Sequence, residues 1–236
     1  MAIPITIAKA RYYPAHDLFA QPPDPIALQD VQRRRSFLKG TTIGKLNLDQ
    51  TVGGFVEIAG NPVLIVVDLR TVQPGSAEWE FIGAVARHLV DVPSNLNPDG
   101  QAAIAALLGV VFTSSPARAY ADVKPRCFVY DVDEFRRSDG SLVTAAWATS
   151  NIVHDANHIR MWIAGEDFAG VAAEQTCWAL QIANAEALGL DSTEVDFLHG
   201  LIADPSSVIA RIESDPNPTA RLACKEQGKC SVTGAA

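Results

Sequence analysis

Asn151-Ile152-Val153-His154-Asp155-Ala156-Asn157-His158-Ile159-Arg160-Met161-Trp162 is the stretch around which the rest of the chain is placed. Read as a helix, it sets His154 and His158 at i and i+4, about 40° apart on one face and roughly 6 Å apart along the axis. Two imidazoles so spaced reach a single metal ion at about 2.0–2.1 Å from each ring nitrogen. The flanks, among them Leu142, Val143, Trp147, Ile152, Val153, Ile159, Met161 and Trp162, carry hardly any charge, and polar side chains in such surroundings need partners. Downstream, Gly165 ends the helix and Glu166-Asp167-Phe168 forms a short loop. A second helix is expected from about Ala169 to Leu188, with Glu174 in its second turn.

Over roughly residues 142–188 the sequence resembles the zincin metallopeptidases of the gluzincin type, in which an H-E-x-x-H helix is followed by a helix carrying a Glu ligand. The residues that carry the resemblance are His154, Asp155, His158 and Glu174. It implies that His154, His158 and Glu174 are metal ligands, that zinc is the ion and that Asp155 is the general base. The departure is Asp for Glu, which shortens the proton-accepting side chain by one methylene, about 1.5 Å of reach. Ligation tolerates that change more readily than catalysis does. The bland reading of the same pair is two hydrogen-bonded core histidines.

Composition bounds the alternatives. The chain has 236 residues, 48% of them hydrophobic, which is ample for a buried core. A net charge of −8, with no dense basic face beyond Arg33-Arg34-Arg35, disfavours nucleic acid as a partner. Arg33 to Lys39 looks like a twin-arginine export motif, but Lys45 and Asp49 interrupt the apolar run that should follow. The apolar segment from Ala102 to Ala121 mimics a signal peptide, yet lies mid-chain and is shorter than the roughly 18 residues of a spanning helix. The expectation is a cytoplasmic protein with no membrane segment, and the apolar stretch is read as a core helix. Cys127, Cys177, Cys224 and Cys230 are too scattered for a disulfide framework. The pair at 224 and 230 is read as a free or weakly paired tail.

The fold class expected is α+β. A small, mostly antiparallel N-terminal sheet with backing helices precedes a helical C-terminal half that carries the metal-site helix. Residues 1–40 form a proline-rich arm, 41–214 a single zincin-like domain and 215–236 a loose tail. Strands are expected at Thr42–Leu48, Gly54–Ile58, Val63–Leu69 and Cys127–Val132, the third central because it is continuously apolar and β-branched. Helices are expected over Ser76–Val92 and from Pro98 to about Phe112. Asp191-Ser192-Thr193-Glu194 caps a later helix, and Asp204-Pro205 starts another. In the zincin family the strand before the active-site helix is an edge strand that holds extended substrate, and Cys127–Val132 occupies that place.

The leading expectation is a zinc-dependent hydrolase, a metallopeptidase or amidase, whose partner is a peptide or protein substrate. A degenerate zincin-like domain serving as a binding or regulatory module is the alternative. An HD-type phosphohydrolase, using the His154-Asp155 dipeptide with His88 and Asp191, conflicts with the β-rich region upstream. A zinc deaminase lacks the P-C-x-x-C it requires. Asp191, Asp196 and His199 are candidates to support the metal ligands, although capping explains Asp191 and surface charge explains Asp196. Cys177 and Trp178, next to Glu174 by helical rotation, are expected to pack around the site without doing chemistry. Oligomeric state is left open.

Overall fold

A computed structural model describes residues 11–12, 24–25, 51–58, 61–114, 119–123 and 126–206. It is an α+β structure whose five-stranded sheet has the order β1-β2-β3-β5-β4. The strands are β1 (Thr51–Ile58), β2 (Asn61–Asp68), β3 (Gly109–Thr113), β4 (Tyr120–Asp122) and β5 (Cys127–Asp131). Arg11–Tyr12 and Asp24–Pro25 pair separately as a two-residue antiparallel ladder. The limits of the expected arm and tail, the strand at Thr42–Leu48, and Cys224 and Cys230 lie outside the described residues. Among the described residues no helix is long and apolar enough to cross a membrane.

The hairpin expected from the sequence is β1–β2, with Ile58 opposite Asn61. Beyond it the sheet is mixed. β2 with β3 and β3 with β5 are parallel, and β4 returns antiparallel on β5. Parallel neighbours need a crossover, and α1 (Ala77–Asp91) and α2 (Pro98–Ala106) supply the one between β2 and β3. Ser76 caps α1 by accepting from the Trp79 N–H, and Asn97 caps α2 by accepting from the Gly100 N–H.

Two expectations are corrected here. The helix from Pro98 stops at Ala106, and the apolar run read as its continuation to Phe112 is β3, an inner strand. Gly109 lies at the break. A Cβ there would meet Cys127 Sγ at 3.0 Å and the Leu64 carbonyl at 3.1 Å, so a larger residue would have to push its neighbours aside where the strand enters between β2 and β5. Val110 and Val111 then favour extended backbone. The second correction concerns Cys127–Val132. The strand Cys127–Asp131 is flanked by β3 and β4 and cannot pair with substrate, because the sheet ends on β4 instead.

One face of the sheet presents Val63, Ile65, Val67, Val110, Phe112, Phe128 and Tyr130 to the helices, all buried. Phe112, Tyr130 and Phe135 form an aromatic knot with ring centroids 5.0–5.9 Å apart. Burying side chains of this size contributes roughly 1.5–3 kcal/mol each. On this floor lies α3 (Ala145–Ala164), which packs against α1, α2, α4 (Val171–Ala183), the short α5 (Ala185–Leu188), β4 and β5. α6 (Ser192–Ala203) packs on α4 and opens with the expected capping box between Asp191 and Glu194.

Candidate metal centre

α3 is fixed at both ends before its side chains are considered. Thr144 caps its N-terminus by accepting from the Trp147 N–H at 2.9 Å, and the Thr144 hydroxyl donates to Glu194 at 3.0 Å, which ties the helix start to α6. Gly165, at φ 71°, ends it in the left-handed conformation that glycine adopts without penalty. The chain then turns through Phe168 into α4, which begins at Val171. Its axis runs back along α3, so Glu174 in the first turn, Cys177 and Gln181 form one stripe facing the histidines.

The two imidazoles meet at their Nε2 atoms, 3.2 Å apart. Glu174 closes on both, with Oε2 at 3.1 Å from His154 Nε2 and Oε1 at 3.6 Å from His158 Nε2. His154 and His158 are both buried, and Glu174 reaches partly to the surface. The structure thus brings together His154, His158 and Glu174, the three residues selected from the sequence as ligands. It adds Cys177, whose sulfur and one ring nitrogen of each histidine lie within 4.8 Å of one another.

The far side of each ring decides what this cluster can hold. His158 Nδ1 lies 2.7 Å from the Phe168 carbonyl oxygen, and a carbonyl only accepts, so the proton of the neutral ring is on Nδ1. Its Nε2 is therefore a bare lone pair. His154 Nδ1 lies 2.9 Å from Gln181 Oε1, while Gln181 Nε2 donates to Ser150 Oγ at 2.8 Å. With the amide so oriented, His154 also carries its proton on Nδ1. Two nitrogen lone pairs and a carboxylate then converge with no hydrogen between them. Such a set needs a shared cation, either an extra proton or a metal ion. Tetrahedral zinc with nitrogen ligands places neighbouring donors about 3.3 Å apart, close to the observed separation of the two Nε2 atoms.

The electrostatics agree. Burial favours the neutral ring, but Cys177 and Glu174 outweigh it and lift His154 to about 9 and His158 well above its ordinary value. Glu174 is held well below the carboxylate range, with His158 overcoming the cost of burial. The carboxylate thus keeps its negative charge and the rings hold extra protons, so the cluster gathers positive charge at the point where its acceptors converge. Burial pushes the Cys177 thiol up, yet His158 and His154 pull it below its ordinary value.

The other candidates fall elsewhere. Asp155 is half-buried on α3, about 100° round the helix from His154. Asp191 is the cap of α6, and Asp196 and His199 are exposed on that helix. His88 lies in α1, where burial lowers its pKa, outside the cluster of ligand atoms. Trp178 packs its ring 6.2 Å from that of His154. The supports of the two histidines that carry no signal in the i, i+4 spacing are Gln181 and the Phe168 carbonyl. Gln181 was signalled by its place on the stripe with Glu174 and Cys177, but a backbone carbonyl carries no sequence signal. Comparisons of the chain with family models, with curated proteins and with solved structures find no match.

Proposed function

We propose that the protein is a zinc-dependent hydrolase, of the zincin type and directed at peptide or amide bonds. The observation that carries this reading is the convergence of His154 Nε2, His158 Nε2 and the Glu174 carboxylate, with His158 Nδ1 locked by a carbonyl. Histidines held through their second nitrogen are the usual arrangement around a catalytic metal. His154, His158 and Glu174 would hold the ion, which supplies Lewis acidity to a carbonyl and acidifies water.

The chain's own residues then have distinct tasks. His154 and His158 are fixed in ring orientation by Gln181 and Phe168, so little reorganisation accompanies binding. The partial exposure of Glu174 gives the centre its approach from solvent. Asp155, one residue after His154, is the proton acceptor in this reading. The expected edge-strand cradle is not on β5, which is internal.

The second reading is a metal-stabilised binding or regulatory module, and the grouping of Cys177 with both histidines favours it, since a fourth protein ligand beside Glu174 would close the site. The test is to screen wild type and Asp155→Asn against a mixed peptide library with metal content measured in each. A hydrolase loses about 10²–10⁴-fold in turnover with the ion retained. Turnover that survives in Asp155→Asn removes the base assignment. No turnover in the metal-loaded wild type favours the module.

A further inference from the structure

The sequence reading treats Cys177 as an inert packing residue, and its surroundings argue otherwise. Cys177 is fully buried on the α4 stripe between Glu174 and Gln181, with its sulfur in the set that includes both histidines. A buried thiol among apolar side chains needs no polar neighbour, yet Asn157 donates to its sulfur from Nδ2 at 3.3 Å. The orientation of that amide is set by chemistry. Arg160 Nε donates to Asn157 Oδ1 at 2.7 Å, and a guanidinium has no acceptor, so the NH₂ group must face the sulfur. Arg160 is itself held toward Glu166, at 3.5 Å. The run Glu166, Arg160, Asn157 therefore delivers a hydrogen-bond donor to Cys177, as Phe168 and Gln181 deliver acceptors to the histidines.

We propose that Cys177 is a ligand of the same ion, bound as a thiolate with Asn157 as its supporting donor. The centre then favours a borderline-soft divalent ion of the zinc class over a hard one such as magnesium or manganese. This rests on the metal centre proposed above and deepens it. On binding, the S–H bond gives its proton to solvent and the sulfur lone pair goes to the ion, as ligation by cysteine requires. A tetrahedral zinc site separates sulfur from a nitrogen ligand by about 3.5 Å, within the 4.8 Å that encloses the cluster. Thiolate donors select the softer ions, and a fourth protein donor closes the position that a catalytic zinc keeps open, so the assignment favours the binding-module reading over the hydrolase.

Cobalt(II) reads the ligand directly, because a thiolate on cobalt adds a near-ultraviolet charge-transfer band to the visible bands that any low-symmetry site gives. The full-length protein, stripped of metal and titrated with cobalt, is expected to show both at one equivalent. Cys177→Ser is expected to keep the cobalt and the visible bands and to lose the charge-transfer band. Asn157→Leu should weaken binding about 10–100-fold, as loss of a supporting hydrogen bond does. One bound cobalt with visible bands and no charge-transfer band in wild type overturns the Cys177 assignment and leaves the metal centre standing. Neither cobalt nor zinc bound overturns both. The wild-type spectrum decides even where a variant fails to fold.

Discussion

Two buried polar clusters in this molecule are built on opposite rules. At the ends of β2 and β3, Asp68 is surrounded by donors: Arg70 N at 3.0 Å, Nε at 2.9 Å, Nη2 at 2.6 Å and the Thr113 hydroxyl at 3.0 Å. Burial pushes its carboxyl up, but these hydrogen bonds outweigh that and hold it below its ordinary value. The cluster is closed, since its acceptors are matched by protons already present. Between α3 and α4 the count runs the other way, with His154, His158 and Glu174 turning acceptors toward one point. The braces on the histidines use up their protons on the outer side. Buried polar residues are common as structural cement. What would separate a binding site from cement here is the balance of donors and acceptors, since a surplus of acceptors calls for a cation.

The largest effects are expected at the histidines. His158→Ala is expected to reduce bound zinc from one equivalent to none, measured by elemental analysis of protein prepared without chelators. In wild type, zinc at a hundredfold excess over its Kd should raise unfolding free energy by about 2.7 kcal/mol, seen in urea melts with and without zinc. The variant should show no such gain. Next in size is Gln181→Leu, which frees the His154 ring and leaves every ligand in place. Zinc affinity should fall about 10–100-fold in competition with a chromophoric chelator, with one equivalent still bound at saturation.

The closed cluster should respond in stability alone. Asp68→Asn removes charge from an acceptor already satisfied, and should cost about 1 kcal/mol in urea melts at neutral pH, with zinc affinity unchanged. The pH dependence has a definite sign. A carboxyl whose folded pKa is depressed contributes stability that is fully present above its unfolded value, about 3.9, and lost as pH falls through the lower folded value. The gap between wild type and Asp68→Asn should therefore narrow below about pH 4. A gap that widens in acid contradicts the assignment.

The two clusters also differed in how far the sequence revealed them. His154 and His158 were legible because a local i, i+4 spacing becomes a spatial pair on any helix. Glu174 followed once Gly165 was read as a helix end, as its left-handed φ bears out. The capping box at Asp191 and Glu194 was visible for the same local reason. Asp68 and Thr113 meet across 45 positions of sequence, and no spacing rule links them. The misreading of Leu107–Phe112 as helix has a related cause. A short apolar run fits a buried helix and an inner strand equally well, and what decides for the strand is Gly109 against Cys127 and Leu64, a tertiary contact. The same mixed pairing placed β5 inside the sheet. The supporting atoms are the least legible part, since Phe168 acts through its carbonyl and Asn157 through an orientation set by Arg160.

The central claim is that α3 and α4 present one set of acceptors to one cation, and zinc titration tests it most directly. Metal-free wild-type protein and His158→Ala are titrated side by side against a chromophoric chelator. One equivalent of zinc taken from the chelator by wild type, and none by the variant, is the predicted result. Wild type that leaves the chelator fully loaded, as the variant does, contradicts the account and returns the histidines to the core as a protonated pair.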